Sequence, residues 1–276
     1  MVMDEFERVR GLARENPGNI VAVINHSGGK DSMRMLGLVR EEFPELPMIS
    51  VMADTGFEHE FPISAEAWVR ERCRSLRNPV PVEVVLNRKR TYLEMVEQRG
   101  KFSSAQFRQC TSDLKRGPIE RFIRSLEYGV VINCMGIRAE ESRTRAQLLT
   151  WSVNSSLRIR SRRVFNWLPI FGESLDDVLR WHWESRTPLH PVYVPEFHRD
   201  GTTGGYLRRF SCRVCIFATD HDLVQIAQHD PVAFSMISNL EQRMGFTMRP
   251  GKSLLEIVAA RSSRNATEQR QSCLEF

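Results

Sequence analysis

Residues 21–32 read VAVINHSGGKDS, an apolar run that passes through small residues into charged and polar ones. Glycine at 28 and 29 lets the backbone approach a ligand closely, and Ser27, Lys30 and Ser32 add donors around it. The amides of a helix starting here point at an anion, so the stretch reads as a phosphate cradle with Lys30 and Asp31 as candidate catalytic groups. Its spacing differs from the better-known P-loop, which places four residues between its first glycine and the Gly-Lys pair.

Two further motifs suit the same chemistry. MADTG, residues 52–56, sets Asp54 and Thr55 after a second apolar run. Asp54 fits either a group that positions substrate or magnesium, or a turn-forming cap. The run VVINCMG ends in GIRAEESRTRA, residues 136–146, which brings Gly136, Arg138, Arg143 and Arg145. Arginines grip phosphates through paired donors, and Arg138 is the third candidate catalytic residue.

Six cysteines occur in a chain whose start, MVMDEFERVR, is charged from its fourth residue. The expected location is the cytoplasm, where such cysteines serve as thiols, metal ligands or redox groups rather than structural disulfides. Cys212 and Cys215 form a Cys-x-x-Cys, and Cys110 opens the segment CTSDLKRGPIERF. Three thiolates suit an iron–sulfur cluster, zinc is the competing metal, and an inert thiol set is the third reading. Cys134, at the end of its strand, is expected to be a buried apolar residue, the alternative being that it approaches the same space and completes the thiol set.

The elements that must position these groups alternate. Strands are expected over 20–27, 48–55, 81–86, 129–136 and 164–170, with helices over 31–42, 61–76, 91–99 and 113–126. That order predicts an α/β fold, a parallel sheet with helices on both faces, whose ligands bind at the carboxyl ends of the strands. Beyond Cys215 two helices are expected, with Asp230 as cap and Pro231 as first helical residue of the second. Trp167, Trp181 and Trp183 are expected to pack, and His221 and His229 to lie at the surface. The expected division is a nucleotide-binding part over 1–195, a mainly helical Cys-x-x-Cys part over 196–260, and a flexible tail over 261–276.

A length of 276 residues suits one large domain with a smaller one attached. Lys and Arg outnumber Asp and Glu by 39 to 34, for a net charge of +5. The stretch LRIRSRR (157–163) and the pair Arg208 and Arg209 are dense clusters, of the kind that either attract a nucleic-acid backbone or simply form a solvated basic face. No apolar run is long enough to cross a bilayer, which excludes helical membrane spans.

SGGKDS after a buried strand resembles the PP-loop of the adenine nucleotide alpha-hydrolase superfamily, whose HUP-type members split ATP between its alpha and beta phosphates. GIRAEESRTRA and the order of residues 163–193 are similar to phosphoadenosine phosphosulfate reductases. CTSDLKRGPIERF resembles the cluster-binding segment of adenylylsulfate reductases, with Thr111 in place of a second cysteine. The stretch after Cys215 resembles the sulfurtransferase component of DNA phosphorothioation systems. These resemblances imply ATP and Mg2+ at Ser27, Gly28, Gly29, Lys30, Asp31, Ser32, Asp54, Thr55, Gly136, Arg143 and Arg145. They also imply a 4Fe-4S cluster, or zinc, on Cys110, Cys212 and Cys215. The implied activity is an ATP pyrophosphatase that adenylylates a nucleic-acid oxygen for sulfur transfer. Its implied partners are a cysteine desulfurase as sulfur donor, DNA or tRNA as acceptor and other modification-complex subunits, with no membrane. Thioredoxin-dependent sulfonucleotide reduction through Cys273 is the alternative enzyme reading, although QSCLEF lacks the glycine and histidine of that family's Glu-Cys-Gly-Leu-His motif. A non-catalytic nucleotide-binding subunit of a modification complex is a third.

Overall fold

The computed structural model describes residues 4–60, 62–210 and 212–261. Cys273 and the expected flexible tail beyond residue 261 therefore lie outside the described residues. The elements run α1 (Glu5–Glu15), β1 (Ile20–Asn25), α2 (Lys30–Glu42), β2 (Met48–Asp54), α3 (Ala65–Arg74), β3 (Val82–Leu86) and α4 (Tyr92–Arg99). They continue with the short α5 (Gln109–Thr111), a π-helical turn (Ser112–Arg116), α6 (Gly117–Ser125), β4 (Val130–Met135), β5 (Trp151–Val153) and β6 (Arg163–Trp167). The described residues end with α7 (Leu175–Glu184), α8 (Asp220–His229), α9 (Pro231–Met244) and a helix over 254–261.

Among the described residues six strands form one sheet in the order β3-β2-β1-β4-β6-β5. All neighbours are parallel except β5 on β6. This is the α/β fold expected from the sequence, with β5 as an unexpected antiparallel edge. The expected strand 164–170 stops at Trp167, because the Leu168-Pro169 step cannot continue the ladder. The expected helix 61–76 starts only at Ala65, where Ser64 caps it by accepting from the Ala67 N–H at 3.2 Å.

β1 and β4 are buried almost throughout, as central parallel strands must be. Alternation splits β1 between two faces: Ile20, Ala22 and Ile24 pack with α1, α2 and α3, whereas Val21 and Val23 pack with Ile123 of α6. The chain moves outward from β1 to β2 and β3, then returns to the other side of β1 as β4. The crevice beyond the carboxyl ends of β1 and β4 is therefore the topological switch point, where doubly wound sheets bind ligands.

α7 lies against α2 so closely that a β-carbon on Gly37 would stand 2.2 Å from the Trp181 ring. Trp167 is buried, and Trp183 packs with Leu179 and Phe197, as packing residues should. At the C-terminal end Asp230 accepts from the Ala233 N–H at 3.2 Å and Pro231 opens α9, as expected. The core of this helical part draws on α4 and Leu114 as well as on residues 192–257.

Candidate functional site

The loop 26–29 leaves β1 at the switch point and feeds α2. Gly28 holds φ at +85°, a left-handed conformation that glycine adopts at little cost, and its N–H donates to His26 Nδ1 at 3.0 Å. Burial pushes the His26 imidazole down to about 4, so it is neutral and Nδ1 is free to accept that bond. Ser32 Oγ donates to the Gly29 carbonyl at 2.8 Å, and Ser27 N–H points at Ser32 Oγ at 3.3 Å, closing the loop on itself. Gly29 is the N-cap of α2 and supplies no side-chain acceptor, so the first amides of the helix remain for other partners. The Lys30 N–H donates to the Tyr193 hydroxyl at 3.0 Å.

Lys30 is only 7% exposed, and its Nζ stands 3.2 Å from Asp31 Oδ2. The other Asp31 oxygen accepts from Arg138 Nε at 2.6 Å, and Arg138 is 5% exposed. Burial alone would raise the Asp31 carboxyl, but the charges of Lys30 and Arg138 outweigh it and hold it below the ordinary carboxylate range. Arg138 is buried too, and the neighbouring Asp31 and Glu140 carboxylates keep it firmly charged. Gly136 packs against the start of α2, where a β-carbon would stand 3.1 Å from the Asp31 carbonyl oxygen. Lys30, Asp31 and Arg138 thus form one buried line of alternating charge at the helix start.

Above that line lies a cleft of about 420 Å3. Ser27, Gly29, Lys30, Asp31, Ser32, Gly136, Arg138 and Arg145 line it, together with Arg208, Arg209, Tyr193 and Phe210, which the motifs did not single out as site residues. Arg145 pairs with Glu141, which also accepts from the Arg138 N–H at 3.1 Å. Arg143 is exposed on the same loop and is not among the lining residues. Phe210 lies over the loop, 2.8 Å from where a Gly28 β-carbon would be.

Asp54 and Thr55 stand apart from this cleft. Asp54 Oδ1 accepts from the Gly56 N–H at 2.7 Å, where Gly56 has φ +72°, so it makes the turn-forming contact weighed for it. Thr55 is buried and donates to Glu58 Oε1 at 2.7 Å, with the Cys212 Sγ 4.0 Å away. With the Asp31 oxygens held by Lys30 and Arg138, a magnesium ion here would rest chiefly on nucleotide phosphates.

Cys110, Cys212 and Cys215 surround Tyr92, whose phenol is raised well above its ordinary range by burial and then by these three thiols. Its hydroxyl is buried without a hydrogen-bond partner among the described residues. Cys212 Sγ lies 3.8 Å from Glu58 Oε1, and burial with that carboxylate pushes its thiol up to about 12. Burial alone would depress Lys115, yet the adjacent Cys212 sulfur and the Glu58 carboxylate, 3.9 Å from its Nζ, outweigh it and keep the ammonium protonated. The three thiols suit a cluster in donor chemistry. Among the described residues, no three His, Cys, Asp or Glu side chains are grouped so as to hold a metal ion. No disulfide joins the described cysteines. Cys134 is fully buried in the sheet core, as expected.

A smaller cavity of about 160 Å3 runs from His26 and Ser27 past Met52 and Ala53 to Glu58 and Lys115. It links the glycine loop to the neighbourhood of the thiols. His26, Glu58, Lys115, Tyr92, Tyr193 and Phe210 were missed as site residues by sequence reasoning, although His26, Lys115 and Tyr193 sit inside stretches it singled out and Phe210 directly follows the Arg208–Arg209 pair. All six act through contacts that no local spacing encodes.

The two basic clusters separate in space. Arg208 and Arg209 line the cleft, whereas LRIRSRR precedes β6 at the amino end of the sheet, away from it. There Arg162 donates to the Arg124, Leu126 and Tyr128 carbonyls and serves the fold. His221 and His229 are exposed, as expected, and His229 stacks on Tyr206 at 4.6 Å. No helix among the described residues is long and apolar enough to cross a membrane.

A family model of the phosphoadenosine phosphosulfate reductase domain matches residues 21–204. An uncharacterized 37.8 kDa protein in the gpa 5' region of Escherichia phage 186 is 25% identical over 281 residues, covering 87% of this chain and 79% of that protein. The uncharacterized protein MJ0066 of Methanocaldococcus jannaschii is 25% identical over 203 residues, and the match spans 72% of this chain but 40% of that protein. Among solved structures, phosphoadenylyl-sulfate reductase from Candida auris, in a phosphate complex, is 14% identical with a TM-score of 0.44, covering 68% of this chain and 82% of that one. The U34-tRNA thiolase NcsA from Methanococcus maripaludis, with its 4Fe-4S cluster, is 17% identical with a TM-score of 0.46, covering 91% and 86%.

Proposed function

Because the chain belongs to the phosphoadenosine phosphosulfate reductase domain family, we propose that it is a PP-loop ATP pyrophosphatase that activates a nucleic-acid oxygen for sulfur transfer, with DNA backbone phosphorothioation as the reaction. The buried Lys30–Asp31–Arg138 line at the start of α2 carries this reading. Two cations share one carboxylate beneath a cleft rimmed by Arg145, Arg208 and Arg209, so the site holds surplus positive charge where phosphates would sit.

The triphosphate would lie along the loop 27–32, with Lys30 and Arg138 offsetting charge that develops on the phosphates during attack. An acceptor oxygen attacks the alpha phosphorus, the bond from that phosphorus to pyrophosphate breaks, and the acceptor leaves this step adenylylated. Hydrosulfide-level sulfur, freed from the donor's persulfide by a thiol reductant that is oxidised to a disulfide, then displaces AMP, giving a phosphorothioate from a phosphate oxygen of DNA or a thiolated base from a tRNA carbonyl. Cys110, Cys212 and Cys215 would hold an iron–sulfur cluster, or zinc, and a cluster held by three thiolates supplies an open iron for sulfur. The reading includes a cysteine desulfurase as donor and further subunits of a modification complex as partners, acting in the cytoplasm.

Pyrophosphate release with DNA, tRNA or phosphoadenosine phosphosulfate offered in turn is the decisive assay. Lys30→Ala is expected to lower release roughly 100-fold or more. Sulfite from the sulfonucleotide would replace this reading by a reductase. ATP binding without pyrophosphate release, with every acceptor and partner present, would replace it by a nucleotide-binding subunit.

A further inference from the structure

A second pocket, of about 280 Å3, opens beside the phosphate cleft and has no part in the reaction described above. Phe197 is a common wall of the two. His182 joins them as well: it lines the second pocket, and its Nε2 lies 3.0 Å from the Lys30 carbonyl oxygen. The floor is apolar and aromatic, with Trp183, Leu189 and Phe197, while the rim carries Arg186 and Arg199.

Three features mark this pocket as built for a ligand. Arg186 is the one non-glycine residue with positive φ, 55°, among the described residues. It follows Ser185, the C-cap of α7, where glycine would adopt that conformation freely and a β-carbon costs about 1–2 kcal/mol. A cation stands at the rim despite that strain, and retained strain of this kind gathers at functional positions. Next, the Arg199 guanidinium lies 3.9 Å from the Trp183 ring centre, so indole backs a flat cationic face on which a base can stack. Finally, the His198 side chain is 2% exposed, and its Nε2 has no hydrogen-bond partner among the described residues. Asp200 is the opposing charge on this wall, and its Oδ1 already accepts from the Thr202 N–H at 3.0 Å and hydroxyl at 2.6 Å.

Charge and shape together select the ligand class. From pocket to cleft the cations Arg186, Arg199, Arg208 and Arg209 alternate with Trp183 and Phe197; Arg208 lies 5.6 Å from the Phe197 ring centre and pairs at 2.8 Å with the exposed Glu196, a surface contact that a phosphate must compete with. A lone phosphate has no use for the aromatic floor. A duplex keeps its bases paired and out of such a pocket. We propose that this pocket is a nucleotide subsite for single-stranded nucleic acid, in which an unpaired base stacks on the Arg199 guanidinium that Trp183 backs while its phosphates run past Arg186 and Arg208 toward the cleft. The inference rests on the cleft's being the site where a nucleic-acid oxygen is activated, and it seats the neighbour of the reacting nucleotide.

The test is fluorescence anisotropy of short labelled oligonucleotides with the full chain, in single-stranded DNA, single-stranded RNA and duplex arms across a salt series. Arg199→Ala and Arg186→Gly are each expected to weaken single-strand binding roughly fivefold or more and to reduce the salt slope by about one. Arg186→Gly relieves the left-handed strain, so its fold is secure, and ATP binding should match the parent in both. Tight RNA binding with weak DNA binding, lost in both variants, would uphold the subsite and overturn DNA as the acceptor. Unchanged single-strand affinity in both folded variants overturns the subsite, as does a parent that binds ATP but neither single strand.

Discussion

The Tyr193 hydroxyl accepts from the backbone N–H of Lys30 at 3.0 Å, across 163 residues of chain. An oxygen therefore already occupies an amide that a helix start would offer to a phosphate. Tyr193 is fully buried, and its ring lies 6.3 Å from that of Phe210.

Tyr193→Phe should consequently separate stability from affinity. Losing the bond is expected to cost about 1 kcal/mol and lower Tm by a few degrees. A phosphate that takes the vacated amide no longer has to displace the phenol, so triphosphate affinity should hold or tighten. Calorimetric titration of ATP decides this, and clearly weaker binding would mean that the hydroxyl helps to hold the nucleotide.

The glycine loop makes a second separable prediction. Gly28→Ala meets both the left-handed backbone and the Phe210 ring, and should destabilise the fold by about 2 kcal/mol or more. Adding Phe210→Ala removes the clash and leaves the backbone strain. The double variant should therefore lose less than the sum of the two single losses, as chemical denaturation of all four proteins can measure.

Acid should weaken the fold through its buried imidazoles. His26, His59 and His190 are each pushed down to about 4 by burial, against an ordinary value of 6.5. Between those values the unfolded chain binds more protons than the folded one, so stability is full above pH 6.5 and falls as pH drops toward 4. Denaturant midpoints across that window should show the loss. His26→Asn keeps an acceptor near the Gly28 amide and should make the decline shallower; an unchanged slope would remove His26 from the account.

Metal analysis of anaerobically purified protein tests the thiol site. Iron and acid-labile sulfide in matching amounts, lost on Cys212→Ser, are expected. Zinc without iron would replace the cluster, and neither metal would leave a thiol set beside Tyr92.

Much of the fold was legible because β1, β2 and β4 are apolar runs long enough to announce themselves, each followed by a polar motif at its carboxyl end. β5 was not, since it has three residues, two half-buried and one exposed, and follows an irregular arginine-rich loop. At the site, the spacing of Ser27 to Ser32 pointed to the cradle and GIRAEESRTRA to the arginines that face it. Local sequence could not reveal that Phe210 folds over Gly28, or that Gly37 is small to admit Trp181. Nor could it reveal that Thr55 turns toward Cys212 and that LRIRSRR lies at the other end of the sheet. Each of these depends on which distant element the chain packs against.

The core beneath the C-terminal helices takes Tyr92, Met95 and Val96 from α4, long before those helices in the chain, and joins them to Leu223, Ile237 and Leu254. A fragment ending where the family match ends, at residue 204, would strip α4 of its cover and present a sticky apolar stripe to other molecules. The α/β part and the C-terminal helices therefore share one core and have to be produced as a single piece.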